Sequence, residues 1–265
     1  MRIQLLITAL CALAALSGAA DVKGTVTLEN GDAYSGAVRW SARDKAYVVT
    51  TGKVEVQYKA ADVAEIEIEK PAAFDAAVAQ VAKGQGAAAI PALQKIVKDY
   101  AHLQWDKSAG RYLAEAYVAA EKPAEALKVC NGIIDGDPTA AYRGDLAPAY
   151  WSALLSLNRR GPLEKSLEKA VKGSDLFSRG AALIMYGDIA MKDGGGSNDA
   201  CKKALTDGYL RVVFLYKDPK VAGKLQPEAL YKAALCFDKL NQSGRADFMR
   251  TELKRTYADS PWANR

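Results

Sequence analysis

Turn signals beyond Pro71 recur at a spacing that few folds can use. They fall at Gly84-Gln85-Gly86, Glu121-Lys122-Pro123, Arg160-Gly161-Pro162, Gly194-Gly195-Gly196 and Ser243-Gly244. Each lies between stretches in which apolar residues return at intervals of three and four, the pattern of an amphipathic helix. Successive turns stand roughly 35 to 50 residues apart, the period of a helical-hairpin repeat. One such hairpin cannot bury its apolar face alone, so about five are expected to stack over residues 71–265. The glycine run at 194–196 is read as one of these turns. It lacks the Lys-Ser/Thr of a phosphate loop.

Before Pro71 the periodicity is two. VKGTVTLE, the Asn30-Gly31 turn and AYSGAVRWS predict one hairpin. KAYVVTT, Gly52 and KVEVQYK predict a second, and AEIEIEK after a short turn predicts a fifth strand. About five short strands cannot bury a core as a flat sheet, so a curled sheet or small barrel is expected over residues 21–70. Glu65 and Glu67 share one strand face and are expected to be solvated.

The first twenty residues, MRIQLLITALCALAALSGAA, carry a charge at Arg2, an apolar run and then small residues. This layout predicts a cleavable signal peptide over residues 1–20, with cleavage after Ala19 or Ala20. The apolar run is too short to span a bilayer, and no later segment is long enough. Leu10 precedes Cys11 where a lipid-attachment motif needs a small residue, so no lipoprotein is expected. The location is periplasmic or secreted, and the mature chain does not span a membrane. Of the four cysteines, Cys130, Cys201 and Cys236 remain after cleavage. Their odd number excludes a full disulfide framework. An oxidising compartment favours a Cys201–Cys236 bridge, whereas unequal offsets from a loop near residue 221 oppose it. Lys and Arg total 36 against 31 for Asp and Glu, a net charge of +5 with no long basic run. Nucleic acid is therefore not expected as a partner.

Residues 107–138 resemble a tetratricopeptide repeat. Leu113 and Ala114, Tyr117, Ala126, Cys130, Ile133 and Pro138 fall at the points where that family places core, small and helix-ending residues. Residues from Leu230 onward fit similarly, through Ala233, Ala234, Phe237, Ala246 and Leu253, with Ala258 in place of a closing proline. The first, third and fourth units match loosely, the fourth with an insertion through its glycines. The β segment resembles the small SH3-like and Sm-like barrels through Val26, Leu28, Asn30-Gly31 and Gly36, without the RNA-binding half of an Sm motif. The resemblances imply an α+β chain of two domains: a five-stranded SH3/Sm-like barrel at 21–70, then an all-α tetratricopeptide-like superhelix at 71–265.

No catalytic residues, metal ligands or cofactor site are expected. His102 stands alone and is read as an exposed residue at a helix start. The chain contains no CxxC, HxxxH, Walker or GxSxG motif. Stacks of this kind present a groove lined by the first helix of each hairpin. The candidate partner-contacting residues are Arg111, Tyr112, Glu115, Arg143, Tyr150, Arg179, Asp188 and Lys232, the arginines suiting acidic groups. The expected function is a non-catalytic scaffold binding another envelope protein or a second copy of itself. The alternatives are binding of a glycan or peptidoglycan through Tyr34, Trp40 and Tyr47 of the barrel, whose rings are otherwise core, and an unrecognised enzyme.

Overall fold

The computed structural model describes residues 21–264. The signal-peptide expectation lies outside these residues. The chain forms two compact units. One holds the sheet, up to Glu69, and the segment Lys98–Gln104; the other holds Lys70–Val97 and the chain from Trp105 onward. The sheet unit therefore takes in seven residues that the sequence pattern assigns to the helical region.

Five strands form one antiparallel sheet: β1 (Val22–Leu28), β2 (Ala33–Ser41), β3 (Ala46–Thr51), β4 (Val54–Lys59) and β5 (Val63–Ile68). Their order is β4-β3-β2-β1-β5. The expected barrel is not closed, because β4 and β5 are both edges. The three-residue turn Ala60–Asp62 does not fold β5 back onto β4; β5 pairs instead with the free side of β1. The turn between β1 and β2 forms as Asn30-Gly31 requires: Gly31 has φ +90, and Asn30 Oδ1 accepts from the Asp32 N–H at 3.0 Å. Gly24 lies opposite Gly36, and a Cβ at Gly36 would stand 2.4 Å from the Thr50 carbonyl oxygen. The strands approach closely there and the sheet can coil.

Cross-strand register puts Val22, Val38 and Val49 on one face with Val26 and Ile68, and all five are buried. Trp40 and Tyr47 meet edge to face at 5.0 Å and are half-buried. Tyr34 departs from the core reading: it is 38% exposed and stacks on Tyr58 at 4.7 Å. Glu65 and Glu67 are exposed as expected. Segment 98–104 completes the unit. Leu103 is fully buried, Gln104 Oε1 accepts from the Ile68 N–H at 3.1 Å, and His102 lies 4.8 Å from the Trp40 ring. His102 is exposed but belongs to the loop before the next helix, with left-handed φ +62.

The helical unit runs through α1 (Phe74–Ala82), α2 (Gly86–Asp99), α3 (Trp105–Ala119), α4 (Pro123–Gly136), α5 (Ala147–Ser156), α6 (Arg160–Lys172) and α7 (Leu176–Asp193). It continues through α8 (Asn198–Ala204), a π-helical turn at Leu205–Tyr209, α9 (Leu210–Leu215), α10 (Pro219–Lys239) and α11 (Ser243–Thr256), and ends in a short turn at Pro261–Asn264. Side-chain caps start several of these helices. Asp175 accepts from the Ser178 N–H at 2.9 Å, and Ser197 Oγ from the Ala200 N–H at 3.2 Å.

Five helices end in one shared device. Gly84, Glu121, Asn158, Gly195 and Asn241 all take left-handed φ, between +55 and +75. The N–H of each following residue bonds back to a carbonyl five residues earlier, as Lys122 does to Tyr117 at 2.8 Å and Gln242 to Phe237 at 2.9 Å. Positions 84, 121, 158 and 195 are evenly spaced, 37 residues apart. Only the step to Asn241 is longer. The extra residues thus lie after the glycines, in the interrupted α8–α9 stretch and the long α10, and not at the glycine run itself.

Packing follows from the small residues between helices. Ala114 of α3 and Ala126 of α4 are fully buried, and Cys130 sits in a cluster with Ala114, Leu146 and Ala149. Burial pushes the Cys130 thiol up to about 12. The three cysteines among the described residues are buried free thiols. The Cys201 thiol lies beside that of Cys236, whose Sγ donates to Met191 Sδ at 3.7 Å. The loop joining their helices falls at Tyr216–Asp218, earlier than the expected position near 221, so the two cysteines stand nearly level. We expect a thiol titration of unfolded, unreduced protein that has lost residues 1–20 to count three, with slow labelling of the native protein because all three of these thiols are buried. A count of one would mean that Cys201 and Cys236 are bridged.

Candidate functional site

The helical unit carries a groove of about 610 Å³. Its walls come from α1, α3, α5, α7 and α10, the first helix of each successive pair, and its end from Pro261 and Trp262. Helical spacing explains the selection. Ala181, Ile184, Met185 and Asp188 form one stripe along α7, and Lys224, Glu228 and Lys232 stand one turn apart on α10.

Two charged clusters occupy the walls. In the first, Arg111 Nη1 lies 3.3 Å from Glu115 and 3.4 Å from Asp145, and Lys224 Nζ lies 3.0 Å from Asp145. Burial pushes the Glu115 carboxyl up to about 7, against the opposing pull of Arg111. In the second, Lys232 Nζ donates to Asp188 Oδ2 at 2.7 Å and lies 2.6 Å from Glu228. Tyr209 donates its hydroxyl to Asp188 Oδ1 at 2.8 Å. Burial works against the Lys232 ammonium, but Glu228 and Asp188 outweigh it and hold its pKa above the ordinary lysine value. Burial also raises the Tyr209 phenol, with the Asp188 charge adding to it. Tyr209 reaches Asp188 because the π-helical turn shifts the phase of the α8–α9 helix and sets its ring on Gly187.

Glu115, Asp188 and Lys232 line the groove as expected from the sequence. Arg111 does not; it is held to Glu115 and Asp145, with its guanidinium 3.8 Å from the centre of the Tyr112 ring. Tyr112 packs toward Phe74, at 5.8 Å. Tyr150 is half-buried against the Cys130 cluster. Arg143 and Arg179 are exposed and outside the groove. The sequence reading missed Glu121, Lys224, Glu228 and Trp262. The four-residue spacing of Lys224, Glu228 and Lys232 was the available signal for part of this wall. Among the described residues no group of three or more His, Cys, Asp and Glu could hold a metal ion, and no helix is long and apolar enough to cross a membrane.

The raised Glu115 pKa has a testable consequence. Between about pH 4.5 and 7 the folded state binds more protons at this site than the unfolded state, so stability at this site falls as pH rises through that range. One third of the side chain is open to solvent. With that screening we expect about 1–2 kcal/mol. The stability advantage of Glu115→Gln over wild type should grow by this amount from pH 5 to pH 8 in urea titrations. A pH-independent difference would place the Glu115 pKa near its ordinary value.

No model of a protein family, no curated protein and no solved structure matches the chain.

Proposed function

We propose that this is an exported, non-catalytic scaffold of the cell envelope whose helical unit is a tetratricopeptide-like stack binding a partner protein in its groove. The observation that carries this reading is the groove's lining. One helix of every pair contributes, and the second helices α2, α4, α6 and α11 contribute nothing. That division between inner and outer helices is what a solenoid with a concave binding face requires. The evenly spaced left-handed helix ends at 84, 121, 158 and 195 support the same repeat. Export rests on the composition of residues 1–20.

The test is capture of a defined protein from envelope extract by immobilised protein, repeated with Ser152→Trp. Ser152 is half-buried on α5 and lines the groove, so an indole there obstructs it. Capture by wild type and at least a roughly tenfold loss with the variant is the expected result. Equal capture by both overturns the groove reading. A second reading, glycan binding through the sheet unit, draws on the exposed Tyr34 ring stacked on Tyr58. Cosedimentation with isolated cell wall, abolished by Tyr34→Ala and untouched by Ser152→Trp, would favour it.

A further inference from the structure

We infer that the groove takes a cationic segment of its partner, a stretch in which lysine or arginine side chains are interspersed with apolar ones. This rests on the reading of the groove as a protein-binding site and adds the chemistry of the occupant.

The argument begins with cations already committed. Lys224 is bound to Asp145, Lys232 to both Asp188 and Glu228, and Arg111 behind the wall to Glu115 and Asp145. The Lys232 side chain is only 20% exposed and is already held by two carboxylates. An acidic ligand that drew it away would leave Asp188 and Glu228 without their cation in a largely buried setting, which is strongly unfavourable. This pairing favours a cationic occupant of the groove over the acidic one expected from the arginines.

The lining itself has an excess of acid. Glu115, Glu121, Asp188 and Glu228 face the groove against Lys224 and Lys232, in a chain whose net charge is +5. Glu121 adds a distinct feature. It is exposed, has no ion-pair partner among the described residues, and sits in the left-handed turn that ends α3. The carbonyl end of a helix carries partial negative charge, so this carboxylate and the helix end favour a cation together. Between the charged walls, Ala181, Ile184 and Met185 of α7 supply an apolar floor. Trp262 offers a ring face at the groove's end, and Lys232 Nζ already lies 5.9 Å from its centroid. A basic and apolar segment satisfies the walls and floor at once.

The experiment is selection of a random twelve-residue peptide library on the full chain, followed by anisotropy titration of enriched peptides at low and high salt. Enrichment of Lys and Arg among apolar residues is expected. Binding should weaken at least about tenfold in Glu121→Lys and fall with ionic strength. Enrichment of acidic peptides that Ser152→Trp excludes would overturn the cationic occupant and leave the groove reading standing. Basic peptides indifferent to both Glu121→Lys and Ser152→Trp would place cation binding elsewhere and overturn the inference. The absence of any enriched peptide would overturn both.

Discussion

Replacing Trp151 by alanine should lower the stability of the helical unit by about 3–5 kcal/mol, the cost of truncating a fully buried aromatic side chain. Trp151 is wholly excluded from solvent on α5. Its indole N–H is shared between Ser166 Oγ at 2.7 Å and the Ala141 carbonyl at 3.0 Å, and Ser166 Oγ donates to that same carbonyl. The ring therefore joins α5 to α6 and to the turn Pro138–Ala141 that leads out of α4. Truncation opens a cavity between elements that other contacts hold apart, and partial collapse cannot refill it. Trp151→Phe separates the two contributions. It keeps much of the volume and loses the donor, so it should cost about 1–2 kcal/mol, clearly less than Trp151→Ala. Urea titrations followed by circular dichroism check both, since fluorescence loses a reporter. A loss below about 1 kcal/mol for Trp151→Ala would mean that α5 and α6 do not pack through this ring.

Much of the architecture was legible in local chemistry. The change of period at Pro71, the Asn30-Gly31 turn and the small residues Ala114 and Ala126 all act over short distances, and each has its expected structural counterpart. Closure of the sheet was not legible, because it depends on which free edge β5 meets, and an alternating strand says nothing about that. Segment 98–104 was missed for a similar reason. Its place in the sheet unit rests on Leu103 and Gln104, two residues inside a stretch without periodicity. The regular turn spacing was partly hidden because Glu121, Asn158 and Asn241 adopt the left-handed conformation that sequence reasoning assigns first to glycine. For the groove, helical phase identified Glu115, Asp188 and Lys232. It could not show that the arginines beside them were committed to internal carboxylates or turned away from the groove, since pairing partners such as Asp145 lie in loops.

The π-helical turn gives the second large effect, and it is one that the sequence pattern left no sign of. Gly208 lies within this turn, and a Cβ there would stand 2.7 Å from the Leu183 carbonyl oxygen, 2.8 Å from the Gly187 nitrogen and 2.9 Å from Gly187 Cα. All three are backbone atoms of α7, so no side-chain rotation can make room. Gly208→Ala must push the interrupted helix away from α7, and we expect a loss of about 2–3 kcal/mol. The same displacement draws the Tyr209 hydroxyl away from Asp188, removing one of the bonds that fix the Lys232 cluster in the groove wall. Partner capture should therefore fall even under conditions where the variant remains folded. Gly132→Ala is the matching control. Gly132 is exposed within α4 with nothing near its Cβ position, and the substitution should stabilise by up to about 1 kcal/mol through helix propensity. One substitution type with opposite signs at two helical glycines isolates the close approach at Gly208. Thermal unfolding of the two variants beside wild type measures it, and a neutral or stabilising Gly208→Ala would mean that the turn does not lie against α7.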